Sequence, residues 1–260
     1  MKRVIVSLLS VACASAFAGK RQAPPPPPPA DQSVMVVNQS TNSVTYEHNV
    51  DTPRSMASIT KVMTAMVVLD TLPNLYQKIK LKAAYHGRRE YTVKEMLDLL
   101  LVRSDNHIAE ILSKNFHDSR EAFIEAMNSK ARQIGMATAE FVDPSGLGAG
   151  NRASARDIAK MVLTSASYPS IRESSRPQIS LETATHKGYK SVSLHNTNHR
   201  ILNEFNNIVV SKTGTTNAAG KCVAMVVEKQ GQTYAVVILG EPNGARRDSE
   251  ARNLLHNYVY

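Results

Sequence analysis

Apolar residues near both ends of this 260-residue chain fall into short β-rich runs, whereas between those ends they recur at helical spacing. Val34 to Val37 and Val44 to Tyr46 flank the polar stretch Asn38 to Ser43, which predicts strand, turn and strand. Ile208 to Ser211, Cys222 to Glu228 and Thr233 to Leu239 are strand-like too, the last two joined by a turn around Lys229-Gln230-Gly231. Between them Ile59, Val62, Met63, Met66, Val67 and Leu69 predict an apolar helix that runs through the core. A second helix opens at the capping-box pattern Thr92-Val93-Lys94-Glu95. Further helices are expected over Ile108 to Leu112, over Glu121 to Ile134 before Gly135, and after Ser154, where Asp157 suggests another capping box. A closing helix carries Ala251, Leu254, Leu255, Tyr258 and Val259 on one face. Strands at both ends with helices between them predict an α+β fold, with a mainly antiparallel sheet in which the N-terminal hairpin pairs with the C-terminal strands.

The first 31 residues read as address and spacer. Lys2 and Arg3 precede the apolar run Val4 to Ala14, and Ala16-Phe17-Ala18 has the small-x-small spacing of a signal-peptidase site, so residues 1–18 read as a cleavable export signal. The apolar run is too short to span about 30 Å of hydrocarbon, so no stable membrane anchor is expected. A lipoprotein signal would use Cys13, but Ser10 stands where such signals usually carry Leu. The proline run Pro24 to Pro29 favours an extended left-handed helix, which makes residues 19–31 a stiff spacer. Residues 32–260 are left for a single folded domain, long enough for two modest lobes, and the chain is expected to act after export. Loss of Cys13 would leave Cys222 without a partner, in an apolar strand where a buried, inert thiol is expected.

Formal charge is +9, and loss of the two cations Lys2 and Arg3 takes it to +7. Aromatics are only 5% of the chain and Trp is absent, which argues against a base-stacking nucleic-acid binder.

Three short motifs carry the chemistry. In Ser58-Ile59-Thr60-Lys61 a spacing of three puts the Ser hydroxyl and the Lys amine on one helical face, so a neutral amine can take the hydroxyl proton. Alone this is weak, since about one Ser-x-x-Lys is expected by chance in a chain this long. Ser104-Asp105-Asn106 falls in the break before the next helix, where Ser104 and Asn106 can supply a proton relay and an amide clamp, with Asp105 as a structural cap. Lys212-Thr213-Gly214-Thr215 ends a strand. Its Lys can draw in a carboxylate, its Thr hydroxyls can bond it, and Gly214 allows another backbone to come close.

Ser-x-x-Lys, Ser-Asp-Asn and Lys-Thr-Gly in this order form the trio of the penicillin-recognising serine enzymes. The chain resembles them over about Val34 to Leu239. Within that group it looks most like the low-molecular-mass D-alanyl-D-alanine peptidases, in particular the D-Ala-D-Ala endopeptidases. The residues pointing there are Pro53-Arg54-Ser55-Met56-Ala57-Ser58, Asp143-Pro144-Ser145-Gly146-Leu147 with Asn151 and Ser154, and Ser211 through Gly214 continuing in Thr216-Asn217-Ala218-Ala219-Gly220. The resemblance implies a β-lactamase/transpeptidase-like fold with flanking helices and a helical lobe, and a serine D,D-peptidase acting on peptidoglycan stem peptides and acylated by β-lactams. It implies Ser58 as nucleophile, Lys61 as general base, Ser104 and Asn106 as relay and clamp, and Lys212, Thr213, Gly214 and Thr215 as the substrate-binding strand. Endopeptidase is favoured over carboxypeptidase.

Some features depart from the pattern. His107 follows the Ser-Asp-Asn where the endopeptidase group commonly has Arg, and only 46 residues follow Gly214, too few for the extra C-terminal β domain of the larger carboxypeptidases. A Glu-x-x-Leu-Asn motif, which carries the deacylation base of class A β-lactamases, is missing. That weakens the β-lactamase alternative, and a non-catalytic penicillin sensor would be expected to carry a transmembrane signalling segment. His195 and His199 lie four apart but flank Asn-Thr-Asn with no acidic base, so neither a metal nor another cofactor is expected. Asn196 and Asn198 are expected only to shape the cleft.

Overall fold

The computed structural model describes residues 31–71, 74–185 and 188–260. The expected export signal, and the spacer apart from Asp31, lie outside the described residues. In chain order the elements are β1 (Ser33–Asn38), β2 (Ser43–His48), β3 (Arg54–Ser55), a 3-10 turn (Ala57–Ile59), α1 (Thr60–Thr71), β4 (Lys78–Tyr85), β5 (Arg88–Thr92), α2 (Val93–Val102), α3 (Asn106–Asn115) and α4 (Arg120–Gln133). They continue with β6 (Arg152–Ala153), α5 (Ala155–Ser165), α6 (Pro169–Glu173), β7 (Gln178–Thr185), β8 (Gly188–His195), α7 (His199–Glu204), β9 (Ile208–Thr216), β10 (Gly220–Lys229), β11 (Gln232–Glu241) and α8 (Gly244–Tyr258).

The main sheet has the order β2-β1-β11-β10-β9 and is antiparallel throughout. Val34 pairs with Ile238 and Val36 with Val236, so the two ends of the chain meet as the strand pattern predicts. The C-terminal strands read as apolar runs because both faces of the sheet are covered. Met35, Val37, Ala224, Val226, Ala235 and Val237 face a core shared with α1 to α5. Their neighbours Val34, Val36, Val223, Met225, Val227, Val236 and Ile238 face α7 and α8 through Ile201, Leu202, Ala251, Leu254 and Leu255. Alternation of side chains across the pleat sends each set to its own side. Each such Val, Leu or Ile contributes roughly 1.5–3 kcal/mol when fully buried.

α1 is buried from Thr60 to Val68, which fits its apolar pattern and makes it the rigid axis from which Lys61 projects. The caps bear out the local reading in part. At α2 both halves of the capping box form between Thr92 and Glu95. At α5 the Ser154 hydroxyl accepts from Asp157 N, but the Asp157 carboxylate turns to Thr138, accepting from its N–H and its hydroxyl at 2.7 Å each. The second capping box is therefore only half made. Two hairpins, β4–β5 and β7–β8, escape the periodicity because they are polar and largely exposed. On β4 only Ile79 and Leu81 are buried among alternating lysines.

Candidate active site

Ser58 sits, half-buried, in the 3-10 turn that leads into α1. Short β3 pairs with β6, and Met56 N donates to Asn151 O at 3.2 Å, so the approach to Ser58 is pinned from one side. Two glycines allow the backbone to close around it. At Gly146, with φ at +79°, an added Cβ would fall 1.9 Å from Ala57 O. At Gly214 an added Cβ would meet Met56 O at 2.7 Å and Ser58 N at 3.1 Å, so β9 lies directly against the turn that carries Ser58. Ala57 itself has φ at +47°, a left-handed conformation that costs a residue with a Cβ about 1–3 kcal/mol.

One turn on, the Lys61 ammonium has no exposed surface and is surrounded by three acceptors. Nζ donates to Ser58 Oγ at 2.9 Å, to Asn106 Oδ1 at 2.6 Å and to Ser145 O at 2.5 Å. Burial pushes its pKa down to about 8, while the Asp143 and Asp105 carboxylates pull the other way. The second buried lysine of the cleft, Lys212, is depressed as well. Burial drives the Lys212 amine well below the ordinary lysine range, and Lys61 and Arg247 add to this.

The 142–151 loop that offers Ser145 O is held by its own polar groups. Asp143 Oδ1 accepts from Ser145 N at 2.7 Å, Ser145 Oγ at 2.8 Å and Gly146 N at 2.6 Å. Burial would raise the Asp143 carboxyl, but these donors hold it below the usual range. Asn151 accepts from Val142 N and Asp143 N, and donates to Thr60 Oγ1 at 3.0 Å; Thr64 Oγ1 donates to Pro144 O at 2.6 Å. The loop is thus bolted to the first turns of α1. Asp143, Ser145 and Asn151 had been singled out only as a family feature, since nothing in the sequence says that a backbone carbonyl would reach Lys61.

Ser104 occupies the break between α2 and α3 with φ at +59°, and Asn106 opens α3. Asp105 is the cap that the sequence suggests, its Oδ1 accepting from Ile108 N at 3.0 Å. Its other oxygen accepts from the Tyr85 hydroxyl, which ties the tip of the β4–β5 hairpin to this corner. Tyr85 carries no motif and was missed.

Lys212 lies at the middle of β9, which continues to Thr216. Its Nζ, with no exposed surface, donates to Ser104 Oγ at 2.8 Å and to Thr213 O at 2.9 Å. Thr213 Oγ1 bonds Thr197 Oγ1 at 2.6 Å, and Thr215 is exposed. Asn198 Nδ2 donates to Ser211 Oγ at 2.9 Å, while Thr197 N donates to Val102 O at 3.2 Å. The 196–198 stretch therefore braces β9 against the end of α2, a role with no signal in the sequence. β9 ends the main sheet, leaving one edge without a strand partner there. All eight residues named from sequence converge: Lys61 joins Ser58 to Asn106, Lys212 joins Ser104 to β9, and Gly214 presses β9 onto Ser58.

Other sequence candidates lie apart from this chemistry. Cys222 is fully buried, and burial pushes its thiol up to about 11, which fits an inert core residue. His195 ends β8 and His199 opens α7, with Asn196-Thr197-Asn198 forming the turn between them; the rings are 5.9 Å apart and His199 Nδ1 is 2.9 Å from Asn196 O. Among the described residues no group of three or more His, Cys, Asp or Glu could hold a metal ion, and no helix is long and apolar enough to cross a membrane.

Comparison with known proteins follows the same lines. The chain is 38% identical over 221 residues to a D-alanyl-D-alanine endopeptidase of Escherichia coli, a match covering 81% of this chain and 71% of that one. It is 34% identical to a D-alanyl-D-alanine endopeptidase of Pseudomonas aeruginosa, covering 85% and 76%. In structure it is similar to the DD-transpeptidase of Streptomyces K15, with a TM-score of 0.77 at 24% identity, covering 86% of this chain and 95% of that one. The D-alanyl-D-alanine carboxypeptidase DacD of Francisella tularensis gives 0.77 at 21%, covering 86% and 69%. At these identities the two structural likenesses speak to the α+β fold alone. The family model for D-alanyl-D-alanine carboxypeptidases matches residues 20–243, and with it the chain belongs to peptidase family S11, the serine D,D-peptidases.

Proposed function

We propose that this protein cleaves peptidoglycan stem peptides after a D-Ala residue through an acyl-enzyme on Ser58, and that cross-link hydrolysis is its main activity. The observation that carries the mechanism is the set of partners around Lys61. Two of its three acceptors, Asn106 Oδ1 and Ser145 O, are carbonyl-type oxygens that cannot give a proton; the third is Ser58 Oγ. When Lys61 loses a proton, two N–H bonds stay with the carbonyl oxygens, and the lone pair is left facing Ser58. That amine takes the Ser58 proton as Oγ bonds the D-Ala carbonyl carbon. The oxyanion is received by the backbone N–H groups of Ser58 and Thr215. As the C–N bond breaks, the departing amine takes the Ser104 hydroxyl proton, and Lys61 replaces it with the proton it took from Ser58, which leaves Lys61 neutral again. Water then adds to the acyl carbonyl and releases Ser58.

In this reading Asn106 holds the substrate amide, and Lys212, Thr213 and Thr215 hold the carboxylate beside the scissile bond. The substrate strand adds to the open edge of β9, which Gly214 keeps close to Ser58. β-Lactams take the same route and leave Ser58 acylated. We further propose that residues 32–260 act as one catalytic domain in the periplasm, exported by the signal at 1–18 and set off by the proline spacer.

Both relatives quoted above are named endopeptidases, which supports cross-link cleavage; the family description supports the second reading, carboxypeptidase. Mass spectrometry of products from cross-linked muropeptide dimers separates them, since monomers mark an endopeptidase and free D-Ala a carboxypeptidase. Labelled penicillin should modify the wild type and not Ser58→Ala, and labelling of that variant would overturn the assignment of the nucleophile.

A further inference from the structure

Beside the catalytic cleft a groove of about 490 Å³ lies between β4 and α3. Two periodicities give it its chemistry. On β4 alternate residues face opposite ways, so Lys80 and Lys82 are exposed while Leu81 is buried between them as part of the apolar lining. On α3, His107, Ile111 and Lys114 stand at i, i+4 and i+7 and form one stripe, about 10 Å from end to end at 1.5 Å per residue. The result is an apolar-floored channel walled by three lysines.

No lining residue is acidic, and among the described residues Lys80, Lys82 and Lys114 have no ion-pair partner. The carboxylates near the start of α3 are already engaged: Glu110 with Arg120, and Asp105 with Tyr85 and the Ile108 N–H. Glu90, opposite Lys80 in the β4–β5 ladder, lines a second depression that Lys80 shares, so Lys82 and Lys114 are the cations that belong to the groove alone. That depression also holds Arg88, which is paired with Glu95, and a third lies beside Arg172, which is paired with Glu228. Of these three, only the β4–α3 groove has no carboxylate in its lining.

Along the chain it adjoins the catalytic residues, because His107 follows Asn106, whose side chain bonds Lys61. An extended peptide advances about 3.3 Å per residue, so roughly three residues would cover the stripe from His107 to Lys114. We propose that the groove is an accessory subsite for a stretch of stem peptide remote from the scissile bond, with Lys82 and Lys114 binding its carboxylates and Ile111 and Leu81 its aliphatic parts. This rests on the D,D-peptidase reading above, in which the substrate is an anionic peptide.

The test is binding of a purified cross-linked muropeptide dimer, measured by calorimetry in a Ser58→Ala background so that no turnover intervenes. At low ionic strength Lys82→Glu with Lys114→Glu should raise Kd about tenfold, and the gap should shrink as salt is added. The milder pair Lys82→Gln with Lys114→Gln should raise it about threefold. A control pair with the same change in net charge, Arg132→Glu with Lys190→Glu, should stay within twofold of the parent. With Ser58 intact, the acylation rate by a fluorescent penicillin, too short to reach Lys114, should be unchanged in the Lys82 and Lys114 variants. An unaltered Kd, an equal loss in the control pair, or a parallel fall in penicillin acylation would overturn the subsite. If the dimer binds in this lysine-dependent way but the wild type leaves it uncut, the D,D-peptidase reading fails and the subsite stands.

Discussion

The two sides of the cleft each bury a lysine completely, and they surround it in opposite ways. On the helical side Lys61 meets three oxygen acceptors and feels the Asp143 and Asp105 carboxylates. On the sheet side Lys212 meets one hydroxyl and one carbonyl, and the charges acting on it, Lys61 and Arg247, are positive. A buried ammonium with its acceptors in place can gain and lose a proton without rearrangement. One with repelling neighbours lacks an anion, and a substrate carboxylate would supply it. The comparison thus sets a lysine held by acceptors apart from one held among like charges, which is the difference that the proposed roles of proton carrier and carboxylate binder require.

Changing each lysine is the sharpest way to break that division. Lys61→Ala should slow acylation by labelled penicillin about 10²–10⁴-fold, the usual range for loss of a general base, with little change in the affinity of the initial complex. Lys212→Gln should cost about 10–100-fold in kcat/KM for a substrate with a free carboxylate, as removal of a charge-assisted hydrogen bond does, and far less for its methyl ester. Equal losses on acid and ester would end the distinction.

The contact between the two sides can be tested through Gly214. Gly214→Ala places a methyl group 2.7 Å from Met56 O, where β9 meets the Ser58 turn. A stability loss of about 1–3 kcal/mol, read as a lower Tm, should accompany slower acylation. An unaltered Tm with normal acylation would show that this close approach is dispensable.

The smallest effect is the most diagnostic. Lys61 must be neutral to act, and the neutral fraction grows as pH rises through its pKa, so acylation should increase from pH 6 to 9 with a midpoint near 8. Asp143 favours the charged form. Asp143→Asn should therefore move the midpoint downward, measured from the pH profile of acylation. A lower plateau with the midpoint unmoved would mean that Asp143 serves only to hold its loop.

Much of this site could be read from the chain because its motifs are local. Ser58 and Lys61 share a helical turn, Ser104 and Asn106 flank a cap, and Lys212 to Thr215 share a strand, so spacing alone limits what each set can do. The polar β4–β5 hairpin, Tyr85, and the Thr197 brace could not be read this way, since they bury too little apolar surface to leave a period. The half-formed cap at Asp157 failed for a related reason: its carboxylate found donors on Thr138, nineteen residues away, that a local pattern cannot foresee.

By itself the sequence determined the strand–helix–strand order, the apolar axis of α1, the pairing of the chain ends in one sheet, and the three motifs that come together around Lys61 and Lys212. These follow from side-chain periodicity and from short-range geometry, which hold wherever the chain goes. Tertiary structure alone decided which acceptors and charges surround each lysine. That depends on Ser145 O and Asp143 reaching Lys61 across more than eighty residues, and on Arg247 adding positive charge near Lys212 from the far end of the chain. Burial and electrostatics are set by what packs nearby in space, and neither is encoded in the neighbours along the chain.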